Sequence, residues 1–229
     1  ALEPLGARFE PDPIRSAAPE WLPMPGDSEY RHAVETMEGV IDDIVAERRG
    51  SQGDAATDEG SDDLLSILLR AQERGEQSDR QIRDEVMTIL LAGHDTTALT
   101  LTYTWYLLSQ HPEAERRVQA EVDEVVGDDR PTMADIGNLD YVQRVIDESM
   151  RLYPPVYTMF REPTQPVELG GYQIPEDATI MLSQWAMHRS ERYWDEPEVF
   201  EPDRWTRDVD RPNFAYFPFG GGPRHCIGK

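Results

Sequence analysis

The sequence predicts a mainly α-helical chain with a small β region. Residues 29–153 contain five stretches whose apolar side chains recur at the spacing of a helix. Beyond Tyr153 the pattern changes to short runs around glycine, and residues 189–229 are rich in proline, glycine and aromatic residues. Because no internal repeat or second boundary interrupts this order, we expect a single domain over residues 1–229.

The helical segments differ in how much of their surface is apolar. The third begins with Ser78 and Gln81, whose spacing predicts a capping box. Its middle, residues 87–104, is apolar or hydroxylic on nearly every side, which is typical of a helix buried at the centre of a domain. The predicted helices are 29–49, 62–72, 78–110, 112–126 and 141–153.

The β region is predicted from three short runs. Residues 167–169 and 172–174 lie on either side of Gly170 and Gly171, which predicts a hairpin because paired glycines favour its tight turn. Residues 179–182 predict a further strand. The irregular C-terminal stretch that follows is long for a compact domain, and such stretches usually carry function.

The chain is strongly acidic. Aspartate and glutamate number 45 and lysine and arginine 22, which gives a formal net charge of −23, and the only lysine is Lys229. This charge argues against nucleic-acid binding through a basic surface and against anchoring to anionic lipid by a polybasic patch. Acidity combined with so little lysine favours adaptation to high salt, where counterions screen the repulsion. An ordinary acidic protein is the alternative interpretation.

Cysteine usage and hydropathy narrow the class of protein further. Cys226 is the only cysteine, so the chain alone can form neither an internal disulfide nor a cysteine-cluster metal site. No apolar run reaches the ~18 residues of a membrane span, and the first residues do not resemble a signal peptide. We therefore expect a cytoplasmic protein, and leave open a membrane anchor in a preceding segment.

The most specific motif is the glycine-rich stretch 219–228, which contains the cysteine. Glycine allows the backbone to pass close to a flat ligand and to direct N–H groups at one sulfur, and such hydrogen bonds stabilise a thiolate. A buried structural cysteine beside a glycine turn would be the simpler interpretation. The full pattern instead resembles the haem-binding signature of the cytochrome P450 superfamily, which is matched at Phe219, Gly222, Arg224, Cys226 and Gly228.

This resemblance implies a cofactor and its ligands. Cys226 would be the axial thiolate of the iron of haem b, a ligand that favours O–O cleavage. Arg224 would pair with a haem propionate, Phe219 would pack near the sulfur, and Gly222 would belong to the cofactor-binding loop. Arg161 resembles the arginine that meets a propionate in this family, with an ordinary surface arginine as the alternative.

A second motif, residues 92–97, lies within the third predicted helix. Glycine costs about 1 kcal/mol relative to alanine inside a helix, and a buried aspartate is costly unless it has a partner. The motif therefore has no advantage for helix stability. It resembles the oxygen-activation motif of cytochromes P450, which implies that Asp95 and Thr96 form an acid–alcohol pair that delivers protons. The same resemblance implies that Ala92 is one of the cofactor-binding residues.

A third group of residues comes partly from a predicted helix and partly from the irregular region. Glu148 and Arg151 are three residues apart, so they lie on one helix face, and alone such a pair is more often a surface ion pair. With Arg204 they resemble the Glu–Arg–Arg triad of the superfamily, which implies a structural role in supporting the cysteine loop. In that family the segment following the triad helix crosses the haem edge, which makes three residues candidate substrate contacts: Val156, Tyr157 and Thr158.

The resemblance covers essentially the whole chain but only about half of the family's fold. It implies a P450 fold incomplete at both ends, as in a fragment of a longer protein. The implied function is a haem-thiolate monooxygenase that takes electrons from a ferredoxin- or flavoprotein-type donor, activates O₂ and inserts one oxygen atom into a small apolar substrate. The alternatives are a haem-thiolate peroxygenase or isomerase and a non-catalytic haem sensor. The Asp95–Thr96 pair favours the use of O₂.

Overall fold

The computed structural model describes residues 4, 12, 14, 15, 18, 19, 22–51 and 63–229. Contacts within the chain divide it into two compact units, residues 1–94 and 95–229. The division falls within one long helix, Asp79–Gln110. The expectation of a single domain stays a prediction.

The first unit contains helices α1 (Asp27–Ser51), α2 (Leu64–Glu73) and the beginning of α3 (Asp79–Gln110). Asp63 caps α2 by accepting a hydrogen bond from the backbone N–H of Ser66 at 3.0 Å. The three helices share an apolar core because each presents a stripe of aliphatic side chains to the others. The buried members of this core are Ile41, Val45, Leu69 and Ile82.

The second unit continues from α3 into α4 (Pro112–Val125), the single turn α5 (Met133–Ile136) and α6 (Asp140–Leu152). Helix α6 begins without a capping side chain of its own. Instead Glu121 accepts hydrogen bonds from the first backbone N–H groups of the helix, at 2.7 Å from Tyr141 N, which fixes α4 against the start of α6. The buried core residues here are Leu107, Leu108, Ala114, Tyr141, Val145, Leu152 and Phe200.

Two antiparallel strand pairs follow α6. Strand β1 (Thr158–Arg161) pairs with β4 (Ile180–Ser183), with Thr158 opposite Ser183. Strands β2 (Val167–Leu169) and β3 (Tyr172–Ile174) form a hairpin. Its turn is Gly170–Gly171, with φ of 58° and 84°, the positive values that a tight two-residue hairpin turn requires. Strand β4 leads directly into the short helix α7 (Gln184–Met187).

The irregular C-terminal region contains two 3₁₀ turns, Pro202–Thr206 and Gly222–Arg224. The five predicted helices, the capping box at Ser78 and Gln81, and the hairpin are confirmed. Strand β1 and the single turn α5 were not predicted.

Because the chain is expected to form only about half of the fold, the burial of residues 87–104 at the centre of a domain stays a prediction, and much of that stretch is exposed among the described residues. Leu99 and Leu101 are 38% and 52% exposed, whereas Thr104 is buried. An all-round apolar pattern shows that a helix can be covered on every side, but the described residues cover only part of this one. No helix among the described residues is long and apolar enough to cross a membrane.

Candidate active site

The loop that carries Cys226 is closed by its own backbone. The backbone N–H of Cys226 donates to the carbonyl oxygen of Phe219 at 2.9 Å, and that of His225 donates to the carbonyl of Gly222 at 3.1 Å. The backbone N–H of Gly228 points to the cysteine Sγ, at 3.4 Å. The side chain is exposed, so the sulfur is available to a ligand while it receives an N–H group that stabilises the thiolate form.

The glycines of this loop are required by close neighbours and by backbone conformation. A Cβ placed on Gly221 would lie 2.3 Å from Cε1 of Phe214, and one on Gly220 would lie 3.1 Å from Sδ of Met159. Gly220 and Gly222 have φ of 73° and 76°, values that disfavour any residue with a Cβ. The backbone therefore follows a path that larger residues would not allow.

Two arginines predicted to meet the cofactor lie at the surface. Arg224 ends the second 3₁₀ turn and is exposed, while Phe219 is half-buried. Arg161 ends β1, is also exposed, and donates from Nη1 to the carbonyl oxygen of Phe160 at 2.8 Å. Neither guanidinium forms an ion pair with a carboxylate of the described residues. Both can therefore pair with an anionic group brought by a ligand.

Glu148 lies at the centre of a buried charge cluster, and its side chain is 0% exposed. Its carboxylate accepts from Arg151 Nη2 and Arg204 Nε, both at 2.8 Å, and from Trp205 Nε1 at 3.0 Å. It also accepts from Arg151 Nε at 2.9 Å and from the backbone N–H of Glu201 at 3.0 Å. The structure thus brings together Glu148, Arg151 and Arg204 from distant parts of the sequence.

The remaining N–H groups of the two arginines bind the backbone. Arg151 Nη1 donates to the carbonyl oxygens of Pro197 and His188, at 2.7 and 2.8 Å. Arg204 Nη1 donates to the carbonyl of Asp195 at 2.8 Å. The planar guanidinium suits this role because its five donors point in fixed directions. The irregular stretch between His188 and Pro197 is therefore attached to α6 through buried charged groups.

Two further buried side chains hold the peptide groups that precede the cysteine loop. Gln184 Nε2 donates to the carbonyl oxygens of Phe217 and Pro218, at 2.6 and 3.2 Å. The backbone N–H of Phe217 donates to Nε2 of His188 at 3.0 Å. We call these two side chains the Phe217 clamp. Burial, which disfavours the charged imidazolium, lowers the pKa of His188 to about 4, so this nitrogen stays an acceptor at neutral pH.

The clamp was not predicted from the sequence. Gln184 and His188 bind backbone groups about thirty residues away in the chain, and no local spacing indicates such a contact. The only signal is that two polar residues lie one helical turn apart directly after the predicted strand 179–182. Such a pattern is equally common at solvated surfaces.

The oxygen-activation motif lies on an unbroken stretch of α3. Ala92 and Asp95 are exposed and Thr96 is half-buried among the described residues, and the roles predicted for these residues stay predictions. The Thr100 hydroxyl donates to the carbonyl oxygen of Thr96 at 2.8 Å. A hydroxyl bond of this kind slightly weakens the helix one turn earlier.

The three candidate substrate contacts lie at the entry to β1. Val156 and Tyr157 are 40% and 57% exposed, and the backbone N–H of Trp185 donates to the carbonyl oxygen of Tyr157 at 3.2 Å. Thr158 is half-buried and pairs with Ser183 across the sheet. The segment therefore has a fixed backbone and presents apolar side chains that a ligand could cover.

The donor set fits a metal that brings most of its own ligands. The described residues contain no group of three or more His, Cys, Asp and Glu side chains that could hold a bare metal ion. What they offer is one exposed thiol, a glycine loop that a flat molecule can approach, and unpaired guanidiniums at Arg161 and Arg224. These groups match a haem, whose macrocycle supplies four nitrogens and whose propionates are anionic.

Comparison with known proteins identifies relatives along nearly the whole chain. The family model described as cytochrome P450 matches residues 12–229. The chain is 40% identical to cyclooctat-9-en-7-ol 5-monooxygenase of Streptomyces melanosporofaciens, over 91% of this chain and 45% of that protein. It is 37% identical to pentalenene oxygenase of Streptomyces avermitilis, over 90% of this chain and 46% of that protein. The chain thus spans slightly less than half the length of these relatives.

A solved structure agrees with the fold. A crystal structure of the cytochrome P450DA haem domain superposes with a TM-score of 0.77 at 37% sequence identity, over 88% of this chain and 45% of that one. The prediction of a mainly helical fold with a small β region that resembles the P450 fold is therefore confirmed.

Replacing the central carboxylate should destabilise the protein severely. Glu148→Gln removes the negative charge between two buried guanidiniums and turns one acceptor into a donor. We expect a loss of about 3–5 kcal/mol in the free energy of unfolding, measured by denaturation of the whole protein. Glu198→Gln is the control, because Glu198 pairs with Arg189 at 3.1 Å while 71% exposed, and it should cost under about 1 kcal/mol. Equal effects of the two substitutions would contradict a structural role for the cluster.

The clamp predicts a pH dependence of stability. His188 has a pKa of about 4 when folded, below the ordinary histidine value of 6.5, so the unfolded chain binds the proton first as the pH falls. As the pH falls from about 7 to about 5, proton binding by His188 in the unfolded chain should therefore lower the free energy of unfolding by about 2 kcal/mol. Thermal melts of His188→Gln should show a correspondingly smaller loss over this range. The control His32→Gln, at an exposed position of α1, should follow the wild type, and a wild-type slope in His188→Gln would refute the assignment.

Proposed function

Because the chain belongs to the cytochrome P450 family, we propose that the whole protein is a haem-thiolate monooxygenase. It would insert one atom of O₂ into a small apolar substrate, with two electrons from a ferredoxin- or flavoprotein-type donor, and release the second oxygen atom as water. The observation that carries this proposal is the single exposed thiol of Cys226 at the end of a glycine loop. The names of two relatives, a monooxygenase and an oxygenase, support the reaction class.

Cys226 would hold the cofactor, which is haem b. When bound, haem supplies a redox-active iron that can activate O₂. The backbone N–H of Gly228, 3.4 Å from Sγ, would share the negative charge of the thiolate and so tune its donor strength. Arg224 and Arg161, both exposed, would bind the propionates, and Phe219 would shield the sulfur from water.

Asp95 and Thr96 would move protons during the reaction. The Thr96 hydroxyl would donate a proton from Oγ1 and recover one from the Asp95 carboxyl, the role of a positioned general acid. Ala92 lies one helical turn before Thr96 and therefore on the same face. Its methyl group would leave room beside the hydroxyl for a flat cofactor.

The chemistry of the substrate follows from the surface around β1. Val156 and Tyr157 are joined there by two more exposed apolar side chains, Phe160 and Met181, at 55% and 63% exposed. Thr158 and the phenol of Tyr157 would add two hydroxyls to an otherwise apolar surface. Apolar contacts of this kind favour a substrate that lacks charge.

The thiolate assignment is tested by spectroscopy of the whole protein. A reduced, CO-bound haem with a thiolate ligand has a strongly red-shifted Soret band, and a neutral ligand does not give this shift. Cys226→Ser should abolish the shifted band, because a serine hydroxyl stays protonated at neutral pH. Ser109→Ala, at an exposed position of α3 in the second unit, should keep it. A shifted band that persists in Cys226→Ser would show that another group is the ligand.

The proton pathway is tested by the coupling of electrons to product. Thr96→Ala should keep the haem and its spectrum while the yield of product per electron falls about tenfold or more, because the positioned acid is lost. Thr96→Ser should restore most of the yield, since it keeps the hydroxyl. Thr97→Ala is the control at the neighbouring exposed position. If Thr96→Ala kept the wild-type yield of product per electron, this residue would have no role in proton delivery. That result would favour a reaction driven by peroxide.

A further inference from the structure

A cavity of about 330 Å³ lies in the second unit, and none of its lining residues belongs to the cysteine loop. It is lined by the stretch around Trp194 and by the residues that follow the first 3₁₀ turn. Four of the lining side chains are arginines, in a chain whose net charge is −23. They are Arg192, Arg204, Arg207 and Arg211.

Arg211 differs from Arg204 and Arg207 because no carboxylate of the described residues pairs with it. Arg204 is bonded to Glu148 at 2.8 Å, and Arg207 pairs with Glu201. Arg211 is half-buried, stacks over the ring of Trp194 at 4.4 Å, and forms no ion pair or hydrogen bond within the part of the chain that the structure describes. Its buried Nε–H is therefore a donor without an acceptor among those residues.

The electrostatic surroundings of Arg211 are cationic. Burial lowers the pKa of its guanidinium, and the charges of Arg204, Arg151 and Arg207 lower it further. Glu148 acts in the opposite direction, but it is already bonded to two other arginines. A negative charge in the cavity would therefore stabilise the folded protein.

Trp194 supplies a second buried donor at the same cavity. Its side chain is 1% exposed, and its Nε1–H has no acceptor among the described residues. An indole nitrogen can only donate, and buried donors in folded proteins are nearly always bonded to protein, water or a ligand. A water molecule could accept this hydrogen bond, but a neutral molecule would leave the charge of Arg211 uncompensated.

The acidic residues of the cavity wall do not fill this role. Glu191, Asp195 and Asp210 are all exposed. Their charges are solvated, and none is among the charges that shift the pKa of Arg211. The negative surface of the protein therefore does not neutralise the guanidinium at this position.

We propose that this cavity binds a small inorganic anion, such as chloride or phosphate, through Arg211 and Trp194. Arg192, which is exposed, would contribute charge at the opening. Charge-assisted hydrogen bonds from arginine are the usual means of holding such anions. A bound anion would join the stretch around Arg211 to Trp194, and so strengthen the segment that leads to the Phe217 clamp.

The test is calorimetric titration of inorganic phosphate into the haem-loaded whole protein, in sodium HEPES at constant ionic strength. We expect saturable binding of one phosphate per protein. Arg211→Gln should weaken it by about tenfold or more, because a charge-assisted hydrogen bond is lost. Arg80→Gln is the charge-matched control, since its side chain is 88% exposed in the first unit, and its affinity should equal that of the wild type.

Trp194→Phe provides a second variant that keeps an aromatic ring and removes only the Nε1–H donor. It should also weaken phosphate binding, and it keeps the proposal testable where Arg211→Gln does not fold. Absence of saturable phosphate binding in the wild type would overturn the proposal. The acceptors of the two donors would then be water molecules or another part of the protein. If Arg80→Gln weakened phosphate binding equally, the loss would be due to net charge alone, and the proposal of a specific site would be wrong.

Discussion

The carboxylate of Glu148 is the group on which the second unit depends. It is fully buried and accepts five hydrogen bonds, from two arginines, an indole and a backbone N–H. A buried carboxylate is costly to desolvate, and only a complete set of donors offsets that cost. Because those donors come from α6 and from residues 201–205, the fold must bring both to one place before the charge can be buried.

A series of hydrogen bonds connects the charge cluster around Glu148 to the cysteine loop. Arg151 holds the carbonyl of His188, and the ring of His188 accepts the backbone N–H of Phe217. Gln184 binds the carbonyl of the same residue, so both sides of Phe217 are fixed. The loop around Cys226 begins two residues later and needs glycine to follow its path. The scaffold therefore sets the position from which the thiol is presented.

Much of this architecture could be predicted from the sequence because it depends on local spacing. Helical periodicity located α1 to α4 and α6, and the paired glycines located the hairpin. The spacing of Glu148 and Arg151 placed them on one face, but only the resemblance to a family connected them to Arg204. The Phe217 clamp escaped prediction because Gln184 and His188 bind backbone atoms, and backbone atoms carry no sequence signal. Periodicity describes the surface of α3 and not which part of the fold covers it, so the pattern alone left the exposure of Leu101 open.

These contacts indicate that the protein's own polar groups, before any cofactor binds, hold the cysteine loop in place. Hydrogen exchange of the haem-free whole protein tests this most directly, because the backbone N–H groups of Phe217 and Cys226 are bonded to His188 and to Phe219. Without a cofactor, the amide of Phe217 should remain protected from exchange as strongly as the amides of α6, and that of Cys226 should stay measurably protected. Exchange of both amides at the rate of an unfolded chain, with protection that appears only after haem is added, would show that the cofactor and not the protein holds the loop.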